Sequence, residues 1–393
     1  MNLKPNRARL WLALLAAALW SAAQAAAPVV VGVSAEYSMK NSQAAQSIEK
    51  GVRLAIEEIN AAGGVLGGRK LELQTLDDRG APARAIENLK QLAQNPDALA
   101  MFCGRFSPVA VELVPVANRE GILLLDPWAA ADGIANNGAN PNYVFRLSLT
   151  DTWALQVMAR HALERKFKRV ALFLPNTAWG RSSLAAFEAY AKQHPQLRSE
   201  NYWYNWGETD FAGKLLQARM SGAEALLMVA NETEGAMIVQ LMAAQPAELR
   251  LPLIAHWGIS AGDFPAVTGD ALWAVDLVVV QTFSVRDARS AKARSAADAY
   301  RRLFSDDLGS LQAAVGFAHA YDLTHLLALA INRAGRADRK SVRDAMERLG
   351  SYAGLVRNYA RPFSPQNHEA LDQSQVFLAR FEKDGSLAKV PRK

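Results

Sequence analysis

Apolar residues along this chain fall into short continuous runs that alternate with stretches of helical spacing. Val29–Val33 is such a run, as expected of a strand covered on both faces. Ile48, Val52, Ala55, Ile56 and Ile59 then recur on one helix face, and Gly63-Gly64 stand where that helix should stop. Leu71, Leu73 and Thr75 alternate as in a strand, and Ile86, Leu89 and Leu92 mark a second helix. Ala98–Phe102 and Ile122–Leu125 read as further buried strands with a helix between them. Repeated β-α units predict a parallel sheet with helices on both faces.

The rhythm restarts after Tyr143-Val144-Phe145-Arg146. Helices are predicted over Asp151–Arg165 and Arg181–Lys192, and strands over Arg169–Leu174, Ala225–Val229, Leu253–Ala255 and Val275–Val280. Long helices follow at Ala291–Phe304, Ala313–Ile331 and Ser341–Leu349, then a strand at Gln375–Phe381 and a turn at Asp384-Gly385. Two α/β units emerge, and the late segments can return to complete them without forming a third. At 393 residues the chain is too long for one ordinary core, which agrees with two domains.

The first residues bear on where the protein works. Lys4, Arg7 and Arg9 precede an apolar run from Leu10 to Ala23, and Ala23-Gln24-Ala25 has the small-x-small pattern that signal peptidase requires. Export is expected, with cleavage after Ala25 or Ala27. The run is shorter than the roughly 20 residues of a spanning helix, and no later stretch reads as long and apolar enough to cross a bilayer. No cysteine follows the cleavage site to carry a lipid. Removing residues 1–25 takes away three basic residues and no acid, so the formal charge drops from +6 to +3, 41 basic residues against 38 acidic. That balance singles out no partner, and no basic stripe interleaved with aromatics points to nucleic acid. The single cysteine, Cys103, ends an apolar run and reads as a buried small hydrophobe.

Catalytic and metal chemistry finds little support. Gly63–Lys70, GGVLGGRK, nearly matches a phosphate-binding loop, but its lysine is one place late, no Ser or Thr follows, and it lies after a helix and before a strand. It reads as a turn. The six histidines are scattered; His319 and His325 lie six residues apart on a predicted helix, and no acid or cysteine completes a ligand set. Asp77-Asp78, between a strand and Arg79-Gly80, read as a solvated loop. No G-x-S-x-G elbow occurs. No enzymatic activity, cofactor or metal is expected.

The segment Gly51–Lys70, GVRLAIEEINAAGGVLGGRK, continuing through Leu71-Glu72-Leu73 to Asp77-Asp78, closely resembles the first helix and second strand of the branched-chain amino-acid (Leu/Ile/Val) binding proteins, the type I periplasmic solute receptors of ABC importers. The likeness continues through Glu120–Pro127, Tyr143–Arg146, Trp179-Gly180, Gly207–Phe211 and Ala320-Tyr321-Asp322, and covers nearly all of the mature chain. It implies an α/β fold of two doubly wound Rossmann-like lobes joined by three crossovers, here near Arg146–Leu149, Val280–Phe283 and Val356–Phe363. Lobe one would comprise 26–146 with 283–356, and lobe two 147–282 with 357–393. A ligand would lie in the cleft, at the carboxyl ends of the strands, and hinge closure would bury it.

Carried over position by position, the family site is half preserved. The resemblance places the ligand carboxylate on the loop Gly104-Arg105-Phe106-Ser107, where Ser107 keeps a hydroxyl. It adds the loop Asp126–Ala130, with Trp128 at a backbone position and Ala130 in place of a threonine. An aromatic of the second lobe aligns with Trp179, and a tyrosine aligns near Asn231 and Glu232. The glutamate that binds the ligand ammonium is replaced by Trp257, and the first-loop tryptophan by Ala44, though Glu36 and Tyr37 share that loop. Phe106, Trp128, Trp179 and Trp257 could form an apolar, stacking cleft, or equally pack the lobes. Arg105 could bind a carboxylate bidentately or stand as a solvated loop charge, and Glu232 could restore an ammonium partner. The expected ligand is a small carboxylate with an apolar or aromatic body, or an amino-acid-like compound. The expected partner is an inner-membrane ABC permease, or alternatively a membrane signalling protein that reads the same receptor as a sensor. A monomer is expected.

Overall fold

The computed structural model describes residues 27–40 and 42–391, so the predicted export segment lies outside the described residues. The first sheet contains β1 (Val29–Ala35), β2 (Leu71–Asp77), β3 (Ala98–Cys103), β4 (Leu123–Asp126) and β5 (Val144–Arg146), in the order β2-β1-β3-β4-β5. Every pairing in it is parallel. Helices α1 (Gln43–Ala61), α2 (Pro82–Ala93) and α3 (Ser107–Glu120) make the connections. Strands β1 and β3 are buried along their full length, which explains their unbroken apolar sequence.

The chain then enters a second unit, with α4 (Asp151–Glu164), β6 (Arg169–Pro175), α5 (Ala178–Gln193), β7 (Arg198–Tyr204), α6 (Ala212–Met220) and β8 (Ala225–Met228). It continues with α7 (Glu232–Ala243), β9 (Leu253–Ala255), α8 (Phe264–Thr268) and β10 (Leu277–Gln281). After Gln281 it returns to the first unit as α9 (Ala291–Phe304), α10 (Ala314–Ala334), α11 (Arg339–Met346) and a hairpin of β11 (Tyr352–Ala353) with β12 (Asn358–Tyr359). Finally β13 (Phe377–Phe381) and β14 (Leu387–Lys389) complete a seven-stranded sheet, ordered β14-β13-β10-β9-β8-β6-β7. Its last two strands run antiparallel.

Helix α10 lies along α1. Gly51, the first residue of the segment that carries the family resemblance, permits this approach, because a Cβ there would overlap the Phe317 backbone. By length and composition α10 could cross a membrane, contrary to the expectation from the sequence, but most of it is buried inside the protein as a core helix. The third passage between units also differs from the expectation. Tyr359 bonds Asp322 on α10 at 2.8 Å, and the Ala370 amide bonds the Arg146 carbonyl at 2.8 Å. Residues 357–370 therefore stay against the first unit, and the passage lies between Ala370 and Phe377.

Candidate ligand-binding cleft

Loops at the carboxyl ends of the parallel strands of both sheets face one another, the arrangement that open α/β sheets use for ligands. The first unit presents Glu36-Tyr37 after β1, Arg105-Phe106 after β3 and Trp128–Ala131 after β4. The second presents Trp179 after β6, Trp206 after β7, Glu232 at the start of α7 and His256-Trp257 after β9.

Arg105 is the electrostatic centre. Its terminal nitrogens donate to both oxygens of Glu232 at 2.6 and 2.9 Å, across the cleft. Its Nε lies 3.0 Å from Glu36 Oε1, on its own side. All three side chains are almost fully buried. Burial alone would lower the Arg105 pKa, but the two carboxylates outweigh it and hold the guanidinium above its ordinary value. Burial pushes the Glu36 carboxyl up in spite of Arg105. Arg105 also lies over the Phe106 ring at 4.6 Å, and Phe106 meets Trp206 of the second unit with ring centres 5.1 Å apart. Tyr37 is partly buried, with its phenol raised by burial and by Glu49 on α1.

The tryptophans converge on a second patch. Trp128 meets Trp257 across the cleft at 5.5 Å between ring centres. Trp179 is edge-on to His256 at 5.0 Å and donates through Nε1 to Asp151 at 3.1 Å. His256 Nε2 stands 3.1 Å from the same Asp151 oxygen, and His256 and Asp151 are both fully buried. Trp128 can lie flat because α10 offers Gly316 beneath it; a Cβ there would come within 2.7 Å of the ring.

The carboxylate subsite that the resemblance assigns is filled from within the chain. The Trp128 amide donates to Asp126 Oδ1 at 2.9 Å, and the Ala129 amide to the same oxygen at 2.7 Å. Ser107 Oγ accepts from the amides of Ala130 and Ala131, both at 3.1 Å. The Ala130 carbonyl is used too, by the Asp151 amide at 2.8 Å. The backbone amide that the resemblance offers to a ligand acid at Trp128 thus has a protein partner in Asp126. Arg105 is likewise no solvated charge and no free fork, since Glu232 holds it. Asp126 is itself pushed up to about 7 by burial, against the pull of Arg146 and the two amides. Arg146 braces this loop, donating to the carbonyls of Ala129 and Ala131 at 3.1 and 2.8 Å and bidentately to Glu369.

Several residues of the cleft escape the sequence reading. His256 follows the apolar strand β9 directly, as Glu36 follows β1, and that position is the signal that could have singled it out. Asp151, at the start of α4, and Trp206 give no such sign. Asp78, read as solvated, is buried beneath Ser34, whose hydroxyl donates to it at 3.1 Å. His319 bonds the Pro127 carbonyl at 2.8 Å and Thr282 at 3.0 Å, and His325 meets Glu58 at 3.1 Å. Among the described residues no three His, Cys, Asp or Glu side chains are grouped to hold a metal. A cavity of about 130 Å³ lies beside the cleft, lined among others by Ser260, Gly262, Gln281, Arg286, Gln312 and Asp384.

Comparison with known proteins agrees with this fold. The sequence profile described as periplasmic binding protein matches residues 28–386. The Leu/Ile/Val-binding protein homolog 3 of Brucella melitensis biotype 1 is 26% identical over 82% of this chain and 84% of its own length. Among solved structures, the branched-chain amino acid transporter substrate binding protein LivJ of Streptococcus pneumoniae, in complex with isoleucine, superposes with a TM-score of 0.77 at 21% identity, covering 92% of this chain and 100% of its own. An ABC-transporter solute binding protein of R. palustris, in complex with 4-hydroxybenzoate, gives 0.79 at 18% identity, covering 93% and 96%. The chain belongs to the periplasmic binding protein family, as a type I member akin to the Leu/Ile/Val receptors.

Proposed function

We propose that the protein captures a small organic solute between its two lobes in the periplasm and delivers it to an ABC permease. The solute is an amino-acid-like compound with an apolar or aromatic side chain. The observation that carries this reading is the cluster of Arg105, Glu232 and Glu36 beside the Trp128–Trp257 contact. A ligand carboxylate can take the guanidinium only by displacing Glu232. A simple acid that did so would add a third buried carboxylate to Glu36 and Glu232 around one guanidinium, and burying that extra negative charge without a second cation is costly. A ligand that also carries an ammonium gives Glu232 a new partner, so both charges stay matched. Trp128, Trp179 and Trp257 would then enclose the side chain, with Phe106 and Tyr37 at the margin and Ser107 and Ala130 shaping the loop behind. A simple aromatic acid, the ligand expected from the sequence alone, thereby falls to second place. The R. palustris relative solved with 4-hydroxybenzoate keeps it in view.

Calorimetry on protein freed of ligand tests the choice. Leucine should bind more tightly than 4-methylpentanoate, and phenylalanine more tightly than 3-phenylpropanoate. Loss of the ammonium should cost about 3 kcal/mol or more, about a hundredfold or more in affinity. Equal affinity for the amino acids and their deaminated analogues would overturn the amino-acid reading.

A further inference from the structure

Arg105 and Glu232 touch each other directly from opposite lobes, through two hydrogen bonds of 2.6 and 2.9 Å between side chains that are each 3% exposed. We infer that this pair is a bolt that closes the ligand-free protein, and that Glu36 is the positioning residue that keeps Arg105 on its own lobe. Solute would then enter by exchanging with the bolt, not by filling a cleft that stands open.

Four observations carry the inference. The pair is bidentate, the geometry in which a guanidinium gains most from a carboxylate. Its two halves sit on the loop after β3 and the first residue of α7, so it can form only when the lobes meet. The contact is sealed by others that cross the same gap: Phe106 on Trp206 at 5.1 Å, Trp128 on Trp257 at 5.5 Å, and the Asp132 amide on Ser182 Oγ at 2.9 Å. Gly262 makes room for Glu232, whose Cγ would lie 3.1 Å from a Cβ at that position. Glu36, by contrast, shares a lobe with Arg105 and stays beside Nε at 3.0 Å whether or not Glu232 is engaged. When the lobes part, the guanidinium keeps one carboxylate and its orientation.

The bolt has a functional consequence. A closed ligand-free state lowers apparent affinity by the fraction of molecules that are open. Every solute pays that same factor, and those that replace both charges of the pair recover most of it through their own contacts. The inference rests on the interlobe reading above but not on the solute's identity, because its test is done without solute.

Wild-type protein is unfolded in guanidinium chloride, dialysed free of ligand and refolded, and its small-angle scattering is compared with that of Glu232→Gln, which keeps the side-chain volume but not the charge. The wild type should scatter as this closed structure does. The variant should expand, with its open fraction rising from about a tenth or less to about a half or more. Glu36→Gln should leave the ligand-free wild-type compactness largely intact, since the cross-lobe bonds remain. Should Glu232→Gln not fold, Arg105→Lys takes its place, because lysine keeps the charge and loses the fork. An expanded ligand-free wild type overturns the bolt, and so does a variant that stays as compact as the wild type.

Discussion

His319 illustrates how much one buried side chain can decide. It is fully buried on α10, with Nδ1–H donating to the Pro127 carbonyl of the Trp128 loop and Nε2 accepting from Thr282, where the chain leaves β10. Burial depresses its pKa from 6.5 to about 4. The folded state therefore holds it neutral, and the unfolded chain takes up a proton first on acidification. The stability it contributes is fully present above pH 6.5 and is lost as pH falls toward 4. The shift corresponds to about 3 kcal/mol. Urea unfolding at pH 7 and pH 4.5 should show His319→Gln losing several tenths to about 2 kcal/mol less than wild type over that interval. An identical loss in both proteins would contradict the assignment. Single residues of this kind were poorly legible in the sequence. His319 read only as a scattered histidine, and Arg105 and Glu232, 127 positions apart, gave no sign of their pairing. Asp126 hid equally well: nothing in a leucine run ending in Asp-Pro announces that the carboxylate will take the amides of the loop that follows it.

At the scale of elements the sequence was far more legible, because periodicity reports burial. Val29–Ala35, Leu253–Ala255 and Ala291–Phe304 lie where their patterns place them. The missed elements have weak patterns for physical reasons. β7 is an edge strand with no buried residue among its first four, and its RSENYWY sequence mixes charge with aromatics. α7 opens with Glu232 and Glu234, both buried, and buried acids are invisible to a hydrophobic template. Helix α10 carries a prediction of its own. Ala for Gly316, in the first turn of α10, would ordinarily gain at most about 1 kcal/mol. Here the new Cβ would stand 2.7 and 2.8 Å from Trp128 ring atoms and 3.0 Å from Ile48. Overpacking of that kind costs about 1–3 kcal/mol, so the net change should be destabilising and should displace Trp128 toward Trp257. Chemical denaturation measures the first, and tryptophan fluorescence the second. A variant stabilised by about 1 kcal/mol would mean that the ring is free to move aside.

The whole molecule joins two α/β units through three passages, and the site exists only where they face each other. Arg146 ties the Trp128 loop to Glu369, so the first and third passages meet at one buried guanidinium. Breaking that pair by Glu369→Gln should destabilise the fold by about 3 kcal/mol, since Arg146 would be left buried without its partner; a change below about 0.5 kcal/mol would argue against its role in bracing the hinge. The two-unit architecture and the family were legible from the alternation of runs and from Gly51–Lys70, whereas the later third passage was not. That passage depends on His368 and Glu369 packing beside β5, a long-range contact with no local signature. The central claim is that solute is held by both units at once. A crystal structure of the protein carrying the solute it retains on purification tests this most directly. The account predicts a small amino-acid-like molecule enclosed by Trp128, Trp179 and Trp257, with its acid on Arg105 and its ammonium on Glu232. A solute held by one unit alone, or seated in the cavity beside Arg286 and Asp384 with the Arg105–Glu232 pair intact, would contradict it.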